Sequence, residues 1–205
     1  MKKEFLGGTI LNIILMMYIT LSSTIVAGII NSIFCKLNIL KCLKYPMDFN
    51  KNFIDKKRIF GDNKTWKGFI GYIVFNIIFA VSFGWLWKIT KLERLNFLYI
   101  NHENTIIYNV LIGLLIGFFY ALFELPNSFL KRRLDIEPGK TTTGIKKIFF
   151  VILDQADSIF GIALVVWLFY PIGIRIYLLY IVVGTITHLL INMMLYFLHL
   201  RKNMF

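Results

Sequence analysis

The chain has 205 residues, of which 58% are hydrophobic and only 17% charged. Soluble domains run nearer to about 45–50% apolar and 25% charged, so this surplus points to membrane spans and excludes a soluble enzyme. The 23 Lys and Arg against 11 Asp and Glu give a formal charge of +12. In so apolar a chain that charge must sit in loops, where it sets topology or binds anionic lipid or a phosphorylated substrate.

A spanning helix needs about 20 mostly apolar residues. Five runs meet that length, roughly 9–34, 68–87, 105–123, 148–170 and 174–200. They predict an all-α integral membrane protein with five transmembrane helices and two long cytoplasmic loops, forming one domain over 1–205. The first run follows Lys2 and Lys3, as a secretory signal would. It is longer than a signal's apolar core of about 7–15 residues and reads as a retained span. Cys35 and Cys42 stand at neither metal-ligand nor redox spacing and read as reduced thiols.

With five spans, the loops 35–67 and 124–147 and the tail share one side and carry 17 basic residues, against six on the other. The positive-inside rule places those segments in the cytoplasm and the N-terminus outside, in the plasma membrane of the cell. Loops this long on a small bundle call for a function.

The first long loop ends Arg58-Ile-Phe-Gly-Asp-Asn-Lys-Thr-Trp-Lys-Gly. Gly61-Asp62-Asn63 is turn chemistry, presenting Lys64, Thr65 and Lys67 at the membrane edge, with Lys64 and Thr65 suited to gripping phosphate. Trp66 is the type of residue that anchors at the interface. Asn31, near the same end of the first span, faces either the site or a neighbouring helix.

In the third span Gly113 and Gly117 form a small-xxx-small pair that permits close helix packing, within one bundle or between two copies, so a homodimer is one arrangement it allows. Pro126 is expected to stop that helix at Leu125. Asn127 and Ser128 would then cap a new short helix carrying Lys131, Arg132 and Arg133. Such a basic cluster next to acids suits phosphoryl or nucleotidyl transfer, and on charge alone would also hold lipid headgroups. Gly139-Lys140-Thr141 invites a P-loop reading, which fails because Leu134 stands where the first glycine is required.

The fourth span contains Asp154-Gln-Ala-Asp157. Acids three apart project from one helical face, and counting from Ile148 at about 1.5 Å per residue puts Asp154 roughly 9 Å inside the mouth. Paired hard oxygen ligands there suit Mg²⁺, which would relieve their mutual repulsion; helix-to-helix hydrogen bonds are the alternative. Thr185, His188 and Asn192 share one face of the fifth span and read chiefly as interhelical hydrogen-bonding groups.

Three stretches together resemble the motifs of a known family: Gly61-Asp-Asn-Lys-Thr-Trp-Lys-Gly, Leu125-Pro-Asn-Ser-Phe-Leu-Lys-Arg-Arg with Glu-Pro-Gly-Lys following, and Asp154-Gln-Ala-Asp-Ser. In order and spacing they are similar to the CDP-archaeol synthase family, the small branch of the CDP-diacylglycerol synthase superfamily. Ser128, Lys131 and Arg132 match its Ser-x-x-Lys-Arg element, Asp154 and Asp157 its acidic metal element, and Lys64, Thr65 and Trp66 the small branch's Lys-Thr-Trp element. Phe34 stands where that branch often has Pro, and Lys67 where Arg is commoner.

The resemblance implies a Mg²⁺-dependent cytidylyltransferase that joins CTP to a membrane lipid phosphate, giving a CDP-lipid and pyrophosphate. The lipid would be an archaeol-type diether glycerol phosphate or phosphatidic acid; no nucleic-acid partner is expected. Residues and resemblance together nominate Lys131, Arg132, Asp154 and Asp157 as catalytic, with the two aspartates holding metal. Lys64, Thr65, Trp66, Asn127, Ser128, Arg133, Lys140 and Asn31 are nominated for substrate binding. A small carrier using the aspartates as an ion site is the competing class, and it leaves the Ser128–Arg132 and Lys64–Trp66 elements without a task. A CDP-alcohol phosphotransferase is set aside because Asp157 is followed by Ser-Ile-Phe-Gly rather than that class's Gly-x-x-Ala-Arg.

Overall fold

The computed structural model describes residues 9–140 and 142–200. Five helices carry the fold: α1 (Ile10–Lys36), α2 (Trp66–Thr90), α3 (Ile106–Arg133), α4 (Gly144–Phe169) and α5 (Gly173–Phe197). Each is long and apolar enough to cross a bilayer, so the expected five-span α-helical membrane architecture holds. Among the described residues, β-pairing is limited to two isolated bridges, Pro46 with Thr65 and Asn52 with Arg58.

Sequential helices pack side by side, α1 on α2, α2 on α3, α3 on α4 and α4 on α5, while α5 meets α1 along a much thinner seam. The α2–α3 contact is the closest because Gly113 and Gly117 lie against the α2 backbone. A Cβ on either would stand 2.6 Å from the Cα of Ile77 or Ile73. The glycine pair therefore serves packing within one chain. α4 is the central helix, buried without a break from Gln155 to Ile159, which is what a helix enclosed on all sides looks like.

The two ends of the bundle differ. At one, Phe97 and Leu98 on a short 3₁₀ turn insert as a plug. The Phe97 ring lies 5.8 Å from that of Tyr170 and 6.0 Å from that of Tyr180, and its N–H donates to Thr20 Oγ1 at 3.1 Å. At the other end the helices splay around a polar chamber roofed by segments 46–65 and 137–140.

The expected break at Pro126 does not occur, because α3 runs through it to Arg133. A proline in a helix interior costs about 3 kcal/mol through one lost hydrogen bond and a carbonyl clash. Here the extra turns are held by Asn127 and Lys131 binding acids of α4, and Ser128 Oγ donates to the Glu124 carbonyl at 3.1 Å. Asn127 and Ser128 are thus interior residues, not caps. α4 likewise starts at Gly144, one turn before the expected Ile148.

Candidate active site

The chamber holds about 710 Å³ and draws on all five helices and both long loops. Its floor is the acid pair. Asn127 Nδ2 donates to Asp154 Oδ1 at 2.7 Å and to Asp157 Oδ2 at 2.8 Å, so a single amide bridges both carboxylates. Asp157 is buried and its other oxygen accepts the Ser158 N–H at 2.6 Å. Lys131, one helical turn beyond Asn127, forms an ion pair with Asp154 and lies 5.7 Å from the Phe150 ring centroid.

A second ion pair, Lys64 with Glu124, lies beside the first. Burial by itself would disfavour the Lys64 ammonium. The carboxylate of Glu124, then those of Asp157 and Asp154, outweigh it and raise its pKa above the ordinary lysine value. Glu124 carries no motif signal of its own in the sequence, although it lies three residues before Asn127 and seven before Lys131. That helical spacing becomes visible only once the helix is known to continue through Pro126.

Arg132 is the exception to this pairing. It is 8% exposed, lines the chamber, and its Nε and Nη1 have no hydrogen-bond acceptor. A buried polar group left unpaired costs about 1–3 kcal/mol, more when charged, and a guanidinium so placed can take an anion with matching oxygens. Gly61 makes its placement possible. With φ at +97°, a Cβ there would lie 2.7 Å from Pro138 Cγ and 3.2 Å from Arg132 Nη1, and only glycine lets the two loops close over the chamber.

The first loop is stapled by Asp48. This buried carboxylate accepts Arg58 Nη2 at 2.8 Å, Arg58 Nε at 3.1 Å, and the N–H groups of Phe60 and Gly61 at 3.0 and 2.9 Å. Burial opposes its ionisation, but these donors prevail and hold its pKa at about 2. The staple fixes the turn from which Asn63, Lys64 and Thr65 face the chamber.

Of the nominated residues, Asn31, Lys64, Thr65, Asn127, Ser128, Lys131, Arg132, Lys140, Asp154 and Asp157 line the chamber together. Thr65 also caps α2, its Oγ1 accepting the Gly68 N–H at 3.2 Å. Asn31 Nδ2 donates to the Gly68 carbonyl at 3.1 Å, and Lys140 pairs with Glu137 at 2.5 Å near the rim. Two nominated residues lie elsewhere. Arg133, about 100° around the helix from Arg132, forms an ion pair with Asp55, donates through Nη2 to the carbonyls of Lys57 and Arg58 and stacks on Phe129, so it ties loop to helix. Trp66 packs between Phe49 and Phe69 outside the chamber. Lys67, expected at the membrane edge, is buried and binds the carbonyls of Leu37 and Ile39.

Behind the floor the chamber meets a narrow, mainly apolar groove lined by Leu21, Ile25, Ile159, Ile162, Ile191 and Leu195, at the thin α1–α5 seam. Tyr72, Tyr120, His188 and Asn192 line both spaces. Tyr72 and Tyr120 stack at 3.8 Å. His188 Nδ1 lies 3.1 Å from the Gln155 carbonyl and Asn192 donates to Gln155 Oε1 at 2.5 Å. These bonds tie α5 to α4, as expected of His188 and Asn192, whereas Thr185 Oγ1 is buried and makes no such bond among the described residues.

The donor set fits a divalent cation. The two carboxylates, Asp157 buried and Asp154 half-buried, are the hard oxygens a divalent cation prefers; Asn127 Nδ2 and the Lys131 ammonium, which now bind them, are the groups such a cation would displace. Among the described residues no third His, Cys, Asp or Glu joins them, which leaves coordination positions for phosphate oxygens or water.

Spanning helices around a chamber that brings acids and cations together beside an apolar groove make this an intramembrane protein with the groups that phosphoryl chemistry uses. The family description CarS-like: CDP-archaeol synthase matches residues 10–205. The chain is 30% identical over 161 residues to the CDP-archaeol synthase of Archaeoglobus fulgidus, covering 77% of this chain and 82% of that one. It is 27% identical over 166 residues to that of Methanoculleus marisnigri, covering 77% and 87%. A solved structure described as an intramembrane enzyme for archaeal membrane lipids biosynthesis shares the fold at a TM-score of 0.50 and 20% identity, over 82% of this chain and 92% of the other. The chain belongs to the CDP-archaeol synthase family and is a cytidylyltransferase.

Proposed function

We propose that this chain, acting as one catalytic domain, transfers the cytidylyl group of CTP to the phosphate of an archaeol-type diether lipid, yielding a CDP-lipid and pyrophosphate. The observation that carries the reading is Arg132, buried and without an acceptor on the chamber wall directly after Lys131. The triphosphate lies in the chamber, with its non-bridging oxygens on Arg132, Lys64 and Lys131 and its outer end towards Lys140. Thr65 and Asn31 supply neutral donors along the same wall, while Asn127 and Ser128, whose donors go to the acid pair and the Glu124 carbonyl, position it.

Asp154 and Asp157 would hold Mg²⁺, which when bound neutralises charge on the triphosphate. A lipid phosphate oxygen attacks the α-phosphorus. The new P–O bond forms as the bond from the α-phosphorus to the α,β-bridging oxygen breaks, and pyrophosphate leaves with that electron pair. No protein nucleophile takes part; bringing together two anions and stabilising their charge is the catalytic task. Lys64, held cationic by its acidic neighbours, contributes to this throughout the neutral range.

The apolar groove at the α1–α5 seam receives the lipid chains while the headgroup reaches the acid pair. The chamber faces the cytoplasm of the cell, where CTP is made, and the N-terminus lies outside the plasma membrane, in line with the basic loops on the chamber side. A carrier would need a path through the bundle, whereas Phe97 and Leu98 plug the far end.

The test uses purified full-length protein in detergent with labelled CTP, Mg²⁺ and a panel containing diether and diacyl glycerol phosphates. Equimolar CDP-lipid and pyrophosphate are expected, with preference for the diether. The absence of pyrophosphate with every lipid would refute the reaction, and a preference for phosphatidic acid would refute the lipid assignment.

A further inference from the structure

The hairpin-like segment Phe49–Lys57 has no role in the chamber, yet its surface is unusual. Phe53 N–H donates to the Lys57 carbonyl at 2.8 Å, the turn closing through Lys56 with φ at +64°. At its tip Ile54 is 90% exposed, flanked by exposed Phe53 and, further back, exposed Phe49. The charges are sorted. Asp48 is buried against Arg58 and Asp55 is paired with Arg133, while Lys51 and Lys56 point outward and exposed.

The height of this segment follows from the helix it rests on. α3 has 28 residues, about 42 Å at about 1.5 Å per residue, against a hydrocarbon core of about 30 Å. The apolar stretch 106–123 fills that core, so the surplus falls on the polar last turns with Asn127, Lys131, Arg132 and Arg133, at headgroup height. There Phe53 packs edge-on against Phe129 at 5.2 Å, with the Arg133 guanidinium over both rings. Leu130 and Leu134 on the same turns are exposed, so the apolar surface of the spanning helices continues upward to the hairpin.

We propose that Phe49–Lys57 is a membrane foot: Phe53 and Ile54 insert into the headgroup–acyl boundary beside the chamber mouth, and Lys51 and Lys56 hold anionic headgroups of the bilayer surface. An apolar tip with lysines on either side is the composition that binds such a surface. Because the loop is stapled by Asp48 to the turn carrying Lys64, the foot sets the roof of the chamber at headgroup height. The inference stands on the surface of the loop and does not depend on which reaction the chamber performs.

The test places a spin label on Ile54→Cys, in full-length protein carrying Cys35→Ser and Cys42→Ser, reconstituted in bilayers of a neutral phosphocholine lipid or of that lipid mixed with an anionic glycerophospholipid. Collision with oxygen and with a water-soluble nickel reagent reads its depth, calibrated by labels at Leu111→Cys, on the lipid face of α3, and at Asp62→Cys. In anionic bilayers the label at 54 should be oxygen-accessible and shielded from nickel. At about fivefold per lysine, Lys51→Glu with Lys56→Glu should shift the bound-to-free ratio about thirtyfold or more towards nickel exposure. Ile54→Asp should unfold at the wild-type temperature in detergent, confirming that the fold survives.

Nickel exposure at 54 equal to that at 62 in anionic bilayers would overturn the proposal. So would shielding that is the same in neutral bilayers and indifferent to charge reversal, or immobilisation of the label without a change in depth, which would indicate a protein contact.

Discussion

Replacing Arg132 by Met should make the protein more stable while removing its activity. Arg132 is buried, its Nε and Nη1 lack acceptors, and the guanidiniums of Arg58 and Arg133 lie close enough to repel it. Two unsatisfied buried donors at about 1–3 kcal/mol each amount to about 2–6 kcal/mol of native-state cost. Methionine fills similar volume without polar atoms, and after allowing for relaxation it should recover about 1–3 kcal/mol, as apolar replacements of buried charges do. Under the proposed function a bound triphosphate would supply the missing acceptors.

Thermal unfolding of purified protein in detergent, with and without CTP and Mg²⁺, separates the two contributions. The wild type should gain about 2.7 kcal/mol at a hundredfold excess of ligand over its Kd, and Arg132→Met should start higher and gain little. Turnover should fall by about a thousandfold, the scale seen when a transition-state charge donor is removed. A variant that unfolds earlier than wild type, or that keeps its stabilisation by CTP, would refute the assignment of Arg132 as a guanidinium held ready for substrate phosphate.

Asp157→Asn should abolish turnover while leaving the helical circular-dichroism signal intact; retained activity would remove it from the metal site. The pKa of Asp48 falls on folding from 3.8 to about 2, so its contribution is present above about pH 4 and lost as pH drops towards 2. That difference is worth about 2 kcal/mol, and Asp48→Asn should flatten the stability profile of the detergent-solubilised protein across this window. Lys64 has a raised pKa, so its charge is present below the ordinary lysine value and lost only above it; Lys64→Met should raise the KM for CTP without altering the pH–rate profile between pH 6 and 9, about a unit or more short of that titration. Gly113→Ala should cost about 1–3 kcal/mol, read as earlier thermal unfolding, since the added Cβ meets the α2 backbone at 2.6 Å.

Much of this protein is legible in one dimension. Each spanning helix satisfies its own backbone hydrogen bonds, so a run of apolar residues identifies it without reference to its neighbours. Most of the residues nominated from the sequence line one chamber, because the charged and amide types that phosphate and metal chemistry requires are few and keep their spacing in the chain. What misled was local as well: Pro126 is a helix breaker by propensity, and only its surroundings overrule it. The series Glu124, Asn127, Ser128 and Lys131 keeps helical period across the proline, and that is the signal by which the continuation could have been recognised.

Composition and pattern alone therefore determined a five-span membrane protein with a basic side and an acid pair one helical turn apart. Tertiary structure decided which of the adjacent, chemically equal Arg132 and Arg133 faces the chamber, since a step of about 100° around a helix sends neighbours to different surroundings. It also decided that Gly113 and Gly117 join helices of one chain, that Lys67 is buried on loop carbonyls rather than offered to substrate, and that Asn127 bridges Asp154 and Asp157. In each case the residue type permits several partners, and which one it meets depends on residues far away in the chain.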